Sequence, residues 1–247
     1  MSIASEITRL QGVKTNILNA IAAKGVSVPS GAKLADCPEL ISLIGGGEWT
    51  VTIGGRNYKT VTIGGITWLA ENLDYKFSGV DIAPSGSPST PAAWYYNNDE
   101  ATYGIDGSRK CGLLYNWNAV KLLNDNKSEL IPGWHVPTND EWTALANAVG
   151  GTDVAGTRLK ALDGAADGSW PTGWNGTDEF GFAAFPAGYR FSGSFNDLGS
   201  RAHFWTATEN SSSDAYYRYF DTGASMRSVS HNKTINAFSV RLVKDSA

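Results

Sequence analysis

The last quarter of the chain, residues 204–245, constrains the fold most, because it has the composition of a small sheet. Three segments in it are rich in aromatic and β-branched residues: 204–209, 216–221 and 238–243. Ser, Asn, Asp and Gly cluster between these segments. Such an arrangement is typical of strands joined by polar turns. The sequence therefore predicts three short strands in this quarter.

The middle strand has two different faces, because side chains alternate between the two sides of a strand. One face is formed by Tyr216, Arg218 and Phe220, and the other by Tyr217, Tyr219 and Asp221. Both sets contain tyrosine, so the alternation does not say which face is buried. We expect the set with Tyr217 to be a recognition surface. It adjoins a loop of Ser, Arg and His, and tyrosine offers a large, rigid contact area at low entropic cost.

Residues 2–22 contain a long helical pattern with a narrow apolar seam. Its apolar positions alternate in steps of four and three, with Lys14 at the skipped position: Ile3, Ile7, Leu10, Ile17 and Ile21. This is the spacing of a coiled coil. An isolated helix of this length is marginal in water, so it needs a partner. Two interpretations stay open: packing on its own domain, or a parallel coiled coil between subunits. The narrow seam favours the second, and isoleucine at several seam positions favours a homotrimer.

The glycines at 45–47 separate two kinds of sequence. The pattern predicts a helical oligomerisation or attachment segment over 1–44, with a second short helix at 38–44. A glycine linker over 45–49 and an α+β domain over 50–247 are expected to follow. The sequences IASEITRLQGVKTNILNAIAAKGV and LADCPELISLI resemble the N-terminal stretch of phage tail and receptor-binding proteins. That resemblance implies attachment to a virion through other phage tail proteins, in assemblies that are usually trimeric.

The middle of the chain contains further local signals. The hexapeptide TVTIGG occurs at 50–55 and again at 60–65, and predicts neighbouring strands with Gly-Gly turns. Residues 76–110 are polar and rich in Pro, Ser and Gly, and predict a long surface loop. Residues 112–123 predict a strand that turns into a helix, and residues from 157 onwards predict a second short helix.

One helix has a strong start signal. Thr138 is followed three residues later by Glu141, which is the spacing of a capping box. Trp142, Leu145 and Val149 then form an apolar stripe, and Gly150 and Gly151 end the pattern.

Composition excludes several classes of function. The formal net charge is −4 and the isoelectric point is near 5.4, without a basic patch, so nucleic-acid binding is not expected. No apolar run approaches the ~20 residues that a membrane span needs. The chain starts without the basic-then-apolar pattern of a secretory signal. We therefore expect no membrane insertion, and a location in the virion or in the cytoplasm before assembly.

The chain contains few candidates for catalysis or metal binding. Its three histidines lack the spacing of metal ligands; we expect a structural role for His135 and exposed positions for His203 and His231. The pattern G-x-S-x-G is absent. A disulfide between Cys37 and Cys111 stays open but is disfavoured, because the two cysteines lie far apart and in different predicted segments. The sequence predicts neither a catalytic site nor a cofactor, and a structural calcium ion on the Asp/Asn-rich loops stays open.

Six motifs in order connect residues 50–247 to a known family. WLAENLDY, LLYNWNAV, GWHVPTNDEW, FGFAAFPAGYR, FWTATE and FSVRLVKD resemble the Fibrobacter succinogenes major paralogous domain. This resemblance implies an α+β fold similar to the C-type-lectin-like fold, which formylglycine-generating enzymes also use. The chain lacks the C-terminal cysteines of those enzymes and the Glu-Pro-Asn or Gln-Pro-Asp triplets of calcium-dependent lectins. We therefore expect a binding protein and not an enzyme.

The C-terminal third contains GYR, a Gly-rich polar segment, the pattern FW-T-x-T-E and a closing FSVR. These motifs also resemble the variable proteins of diversity-generating retroelements, in which a fixed lectin-like scaffold presents substituted positions. The resemblance implies this framework: Phe204, Trp205, Glu209, Tyr216, Arg218, Phe220, Lys233, Phe238, Val240 and Arg241. It implies this ligand-binding variable set: Phe191, Ser192, His203, Tyr217, Tyr219, Asp221, Ala224, Arg227, Val229 and His231.

Three functions follow from these resemblances. The first is a phage tail receptor-binding protein that binds a host cell-surface protein or glycan through a diversified face. The second is a cell-envelope or polysaccharide-associated protein with a fixed ligand. The third, an enzyme of the formylglycine-generating type, is disfavoured by the missing cysteines.

Overall fold

Residues 3–22, 30–33, 49–162, 170–174 and 176–246 of the 247-residue chain are described by a computed structural model. The chain divides into two units, Met1–Trp49 and Thr50–Ala247. The predicted helix at 38–44, the glycines at 45–47 and Cys37 lie outside the described residues.

The first unit contains one described helix, α1, over Ile3–Ala22. This confirms the helix that the heptad spacing predicts. Two seam side chains on it remain largely in solvent: Ile7 is 50% exposed and Leu10 is 44% exposed. The helix therefore presents apolar surface that its own unit does not cover.

The second unit is of the α+β class, with many short strands and a few short helices. Its strands are β1 (Trp49–Ile53, which begins one residue before the unit), β2 (Arg56–Ile63), β3 (Ile66–Leu69), β4 (Asp81–Ile82), β5 (Ala92–Trp94), β6 (Leu114–Asn116), β7 (Trp134–His135), β8 (Tyr189–Phe191), β9 (Ser194–Asn196), β10 (Ala202–Glu209), β11 (Asp214–Phe220), β12 (Met226–Asn232), β13 (Asn236–Phe238) and β14 (Val243–Lys244). Its α-helices are α2 (Glu100–Tyr103), α3 (Trp117–Asp125), α4 (Lys127–Leu130), α5 (Asn139–Ala148) and α6 (Thr152–Leu159).

The strands form three sheets, and the last two strands, β13 and β14, are interior strands of two of them. The sheet orders are β1-β2-β3-β14-β7, β4-β5-β6-β13-β8-β9 and β10-β11-β12. Strand β13 pairs with β6 and β8, and β14 pairs with β3 and β7, all antiparallel. Residues 236–244 therefore connect the early and late parts of the unit, so the C-terminal motifs are integral to its fold.

Several local predictions are confirmed. The two TVTIGG copies form neighbouring strands, with turns at their Gly-Gly pairs. Gly64 has a positive φ of 59°, and an added Cβ would lie 2.6 Å from Ala148 Cβ, so the turn requires glycine there. The predicted passage from strand to helix over 112–123 is β6 followed by α3.

The capping box of α5 is also confirmed. Thr138 Oγ1 accepts a hydrogen bond from Glu141 N at 3.2 Å, and Glu141 Oε2 accepts one from Thr138 N at 2.7 Å. Trp142, Leu145 and Val149 are buried in one cluster with residues of β3, β10 and β11. The cap and the stripe therefore orient α5 against the C-terminal sheet.

The predicted surface loop over 76–110 is wrong in part. Strand β5 is buried along its whole length and pairs with β6. Asn116 Oδ1 accepts a hydrogen bond from Ala92 N at 3.0 Å, which helps to hold β5 against the first turn of α3. A strand of three residues in a polar segment has no detectable periodicity, so composition alone predicted a loop. The helix expected from 157 begins earlier, at Thr152.

The predicted third C-terminal strand, 238–243, is replaced by two short strands, β13 and β14, in different sheets. The third strand of the C-terminal sheet is β12, in the segment that was expected to be a polar loop. Strand β12 forms one edge of its sheet, and Arg227, Ser228 and Val229 on it are exposed. An edge strand with exposed residues lacks the hydrophobic alternation by which strands are recognised.

Candidate functional site

The register of the C-terminal sheet places most of the expected site on one surface. In β11, Tyr217 pairs with Val229 and Tyr219 pairs with Arg227 of β12. Directly paired residues point to the same side of a sheet. Along its other edge, β11 pairs with β10. There His203 pairs with Tyr219, so both side chains point to the same face of the sheet. We call the surface formed by Phe191, His203, Tyr217, Tyr219, Arg227, Val229 and His231 the aromatic face; Phe191 of β8 joins it through contact with His231.

The opposite side of this sheet is covered by helices. Phe204, Phe220 and Met226 are buried there with Trp142 of α5. Arg218, 2% exposed, donates from Nη2 to Asn139 O, Asn139 Oδ1 and Thr143 Oγ1 at 2.7, 2.9 and 2.7 Å. The Arg218 side of β11 is therefore interior, and its charge is satisfied by the first turn of α5.

The aromatic face is not fully exposed, which corrects the sequence-based expectation for two of its residues. Tyr217 is 7% exposed and His203 is 5% exposed, so neither lies freely in solvent. Both pack on Phe238, with ring centroids 4.7 and 5.1 Å away respectively. Phe238 belongs to β13 of the neighbouring sheet, and this contact between sheets has no signal in the local sequence.

The other expected site residues reach solvent to different degrees. Tyr219 and Asp221 are half-buried. The remainder are exposed: Phe191, Ser192, Ala224, Arg227, Val229 and His231. The face therefore has an inner layer of packed rings, formed by His203 and Tyr217, and an outer layer on β12 and on the tip of the β8–β9 hairpin.

The rings of the inner layer form a continuous stack. His203 lies 5.8 Å from Tyr219 and 5.1 Å from Phe238 between ring centroids, with interplanar angles of 20° in both pairs. Tyr189 of β8 adds a fourth ring, 4.7 Å from His203. Tyr189 was not expected in the site, although it lies in the motif FGFAAFPAGYR. Only the packing of β8 beside β10 shows its role.

His203 is an uncharged ring at neutral pH. Burial, followed by electrostatic interactions with Arg201 and His231, lowers the pKa of His203 to about 3. Its Nδ1 is buried and has no hydrogen-bond partner among the residues that the structure describes. The side chain therefore acts as a flat aromatic group that supports Tyr219, and the expectation that His203 is an exposed contact residue is wrong.

Arg227 provides charge at the outer layer. Its guanidinium carbon lies 5.6 Å from the centroid of the Tyr219 ring, and Nη1 donates to Tyr219 Oη at 3.1 Å. Asp221 Oδ2 lies 3.9 Å from Arg227 Nη2. Because Asp221 Oδ1 also accepts from Gly223 N at 2.8 Å, the carboxylate is oriented by the turn. Arg227 thus extends from an ordered cation–π contact into solvent.

The β8–β9 hairpin meets the end of β12. The Phe191 ring lies 6.1 Å from His231, at an angle of 73°. Ser192 N donates to Ile235 O at 2.8 Å, which ties the hairpin tip to the segment after β12. His231 Nδ1 accepts from Asn232 N at 2.9 Å. The structure therefore brings Phe191, Ser192 and His231 together at one end of the aromatic face.

Ala224 does not belong to the group of Phe191, Ser192 and His231, because it lies near the opposite end of β12 from His231. It lies between β11 and β12, where its carbonyl accepts a hydrogen bond from Thr157 N of α6 at 3.0 Å. The buried Lys160 donates from Nζ to Asp221 O and Gly223 O, both at 3.1 Å. The turn is therefore fixed from the helix side.

The framework that the resemblance implies is mostly interior. Eight of its ten residues are buried: Phe204, Trp205, Arg218, Phe220, Lys233, Phe238, Val240 and Arg241. Tyr216 is half-buried. Glu209 is exposed, and its Oε1 forms an ion pair with Lys233 Nζ at 3.1 Å. A rigid interior thus lies under the exposed residues of the aromatic face.

A comparison with known protein families finds a match over most of the second unit. The model of the Fibrobacter succinogenes major domain matches residues 61–244. The chain belongs to this family. A search of curated proteins finds no match. The Fibrobacter succinogenes major domain thus extends from within β2 to β14 and includes every residue of the aromatic face.

Elsewhere in the Fibrobacter succinogenes major domain, the expected structural role of His135 agrees with its contacts. His135 Nδ1 lies 2.6 Å from Asp245 Oδ1, and Nε2 lies 2.9 Å from Glu141 Oε1. Hydrogen bonding to Glu141 raises the pKa of His135, although burial opposes this. His135 thus connects the α5 capping box to the end of β14.

No group of three or more His, Cys, Asp or Glu side chains in the described part of the chain is placed to hold a metal ion. No helix there is long and apolar enough to cross a membrane.

Proposed function

We propose that the second unit is a ligand-binding module that presents the aromatic face to a protein or glycan on a bacterial cell surface. The observation that supports this most is the two-layer construction of the face. Exposed Phe191, Arg227, Val229 and His231 lie over buried rings that hold their strands in place. Aromatic residues and arginine dominate binding energies at protein interfaces, above all where they are held rigidly.

The finer parts of the proposal concern the scaffold and its variation. We propose a C-type-lectin-like scaffold, in which residues of the variable set are exchanged by a diversity-generating retroelement. The division into a buried framework and an exposed outer layer supports this, because exposed positions tolerate substitution with little loss of stability. A reverse transcriptase gene beside this gene, with a near-copy of its 3′ end that differs at template adenines, is the decisive observation. If neither is present in the neighbouring DNA, the diversification proposal is wrong, and a fixed ligand in the cell envelope becomes the leading function.

We further propose that α1 forms a three-stranded coiled coil that attaches the protein to a phage tail. The exposure of Ile7 and Leu10 supports association, because large apolar side chains on an isolated helix favour burial against a partner. Light scattering is expected to give a trimer for the full chain and a monomer for residues 50–247. A monomeric full chain contradicts this part of the proposal alone.

A direct test of binding uses the labelled full chain on a panel of bacterial cells. Wild type is expected to adsorb saturably to some strains, and the double variant R227A/H231A to adsorb at least tenfold more weakly. The matched control is R158A, which removes a half-buried arginine of α6 that pairs with Glu179 and donates to Val149 O, away from the aromatic face. Protease or periodate treatment of the cells distinguishes a protein ligand from a glycan. If R158A and R227A/H231A lose adsorption equally, or if neither loses it, the aromatic face is not the binding site.

A further inference from the structure

Strand β12 has a long outer edge that faces no partner strand among the described residues. It has seven residues and pairs with β11 along its other edge without a bulge. The edge strands of the other two sheets, β1, β7, β4 and β9, have only two to five residues. Proteins usually protect an exposed edge with proline, a bulge or a charged side chain. Strand β12 has no proline, and its Arg227 leans over Tyr219 of β11, away from the edge.

The opposite edge of the same sheet is covered. Trp205 N of β10 donates to Ser239 O at 3.1 Å, and Ser239 N donates to His203 O at 3.0 Å. Ala207 N donates to Pro137 O at 2.8 Å. In the described part of the chain, no such backbone bond from another segment reaches the centre of β12. The sheet therefore has one edge that is satisfied within the protein and one that is open.

The hydrogen-bond pattern shows which backbone groups of β12 face outwards. In an antiparallel pair, residues that exchange hydrogen bonds alternate with residues that do not. Lys233 N donates to Ser213 O at 2.9 Å, at the position that follows the last registered pair of β11 and β12. Every second residue before Lys233 therefore directs its N–H and C=O towards β11. Ser228 and Ser230 lie between these residues, so their N–H and C=O groups point away from β11.

These outward groups are accessible to another chain. Ser228 is exposed and Ser230 is half-buried. At the end of the strand, Asn236 Nδ2 donates to Asn232 O at 2.8 Å, so the edge is occupied only there. Among the described residues, the N–H and C=O groups of Ser228 and Ser230 have no backbone partner beyond this edge. Two N–H and two C=O groups are thus available to an added strand.

The side chains along the edge indicate the chemistry of that strand. Val229 is an apolar side chain with 37% of its surface exposed, and it lies between Arg227 and His231 on the aromatic face. A residue opposite Val229 is stabilised if it is apolar too. The Arg227 side chain is 57% exposed, and Asp221 lies 3.9 Å from it, beyond hydrogen-bond distance. An acidic side chain opposite Arg227 can therefore reach the guanidinium.

We infer that β12 binds an extended protein segment as an additional antiparallel strand, with an apolar residue opposite Val229 and an acidic residue opposite Arg227. This rests on the proposed function, because it names the ligand of the aromatic face as a protein. A second copy of this chain fits less well. Antiparallel self-pairing about Val229 would place Arg227 opposite His231, and neither side chain supplies a negative charge.

The first test uses the full chain and the synthetic peptide acetyl-Thr-Tyr-Thr-Val-Thr-Glu-Thr-amide. In the antiparallel register its valine lies opposite Val229 and its glutamate opposite Arg227. Amide hydrogen exchange is measured by NMR. Saturating peptide is expected to slow exchange at Ser228 and Ser230 by about tenfold or more, because their N–H groups become hydrogen-bonded. Exchange at Val229, whose N–H already faces β11, should change much less. The same peptide with lysine in place of glutamate should bind about fivefold more weakly or worse.

A proline variant then connects the edge to cell adsorption. Ser230→Pro removes an outward N–H that the ladder with β11 does not use, so the domain should stay folded. It is expected to abolish the protection of Ser228 by the peptide and to lower adsorption to cells about tenfold. The matched control is Ser128→Pro, which places the same change in the exposed first turn of α4, away from the aromatic face. Circular dichroism establishes whether S230P is folded, and S228P replaces it if it is not.

Four outcomes overturn the inference. They are unchanged exchange at Ser228 and Ser230 with the peptide, equal protection in S230P, equal binding of the lysine peptide, and protection that grows with protein concentration without peptide. The last outcome would show that a second copy occupies the edge.

The inference and the proposed function fail in different measurements. If wild type and S230P adsorb to cells equally well while R227A/H231A does not, the aromatic face binds its ligand without the edge, and only the inference is wrong. If wild type adsorbs to no strain but the peptide still protects Ser228 and Ser230, the edge binds a strand and only the cell-surface function is wrong.

Discussion

The two sides of β11 show how one strand takes part in two different environments. On one side, Phe220 and Arg218 are buried under α5, where the arginine donates to the first turn of that helix. On the other side, Tyr217 packs on Phe238, while Tyr219 is half-buried under the exposed Arg227. The difference teaches that residue type does not decide the side. A charged arginine is interior and a tyrosine reaches solvent, because helices cover one side, whereas strands β13 and β8 of a neighbouring sheet cover the other side only in part.

The largest effect is expected from truncation on the helix-covered side. Phe220→Ala should lower the free energy of unfolding by about 3–5 kcal/mol, because it removes a fully buried ring that packs with Phe204. Tyr219→Ala on the same strand should cost about 1 kcal/mol, because this ring is already half in solvent. Urea unfolding measures both values. Equal losses would mean that the two sides of β11 are equally buried.

The second effect concerns Arg218. Arg218→Ala is expected to cost about 2–3 kcal/mol in urea unfolding, because it leaves acceptors on Asn139 and Thr143 without their donor and removes packed atoms. Arg218→Met should cost less, because methionine restores most of the volume. If the methionine variant is as unstable as the alanine variant, hydrogen bonds account for the loss and packing does not.

The third effect is a pH dependence that arises on the aromatic face. The pKa of His203 is about 3 in the folded protein and near 6.5 when unfolded, so the unfolded state binds more protons between these values. Stability therefore falls as the pH decreases below about 6.5, by about 2 kcal/mol between pH 7 and pH 5. His203→Phe keeps an aromatic ring and should remove this loss.

His135 acts in the opposite direction. Its pKa is raised in the folded protein, so its contribution is fully present below pH 6.5 and is lost as the pH rises through the folded pKa. Because His135 is present in both proteins, its contribution cancels when wild type and H203F are compared. Urea unfolding at pH 5 and pH 7 gives the four free energies. The same acid sensitivity in H203F would show that His203 is not buried in its neutral form.

The smallest effect on stability is expected at the outer layer of the aromatic face. Arg227→Ala and His231→Ala should each change the free energy of unfolding by less than ~0.5 kcal/mol, since both side chains are exposed. Their effect should appear in cell adsorption instead. A loss of stability comparable to that of Y219A would indicate that the Arg227–Tyr219 contact is part of the fold rather than of a binding surface.

Signals between residues close in the chain predicted a large part of this structure. The capping box of Thr138 and Glu141, the stripe of Trp142 on α5 and the Gly-Gly turn at Gly64 all depend on neighbours within a few residues. Strand β12 and buried β5 were missed for the same reason. An exposed edge strand and a three-residue strand in a polar segment have no periodic pattern of their own.

The sequence predicted many residues of the candidate site but not their burial or their arrangement in space. Alternation along β11 placed Tyr217 and Tyr219 on one side, and the register confirms that they share it with Arg227. The burial of His203 and Tyr217 depends on Phe238 of another sheet, and Tyr189 joins the ring stack only through the packing of β8. These contacts join segments whose adjacency no local pattern records.

The sequence by itself determined the family, the α+β class, the starts and turns of several elements and the two-sidedness of β11. Each of these depends on local backbone preferences or on motifs that stand together in the chain. Only the tertiary structure decided which side of β11 the helices cover, which rings support the aromatic face, and that Arg241 meets Asn72 in the interior. Burial and charge compensation depend on which distant segments pack together, and that is settled only when the whole domain folds.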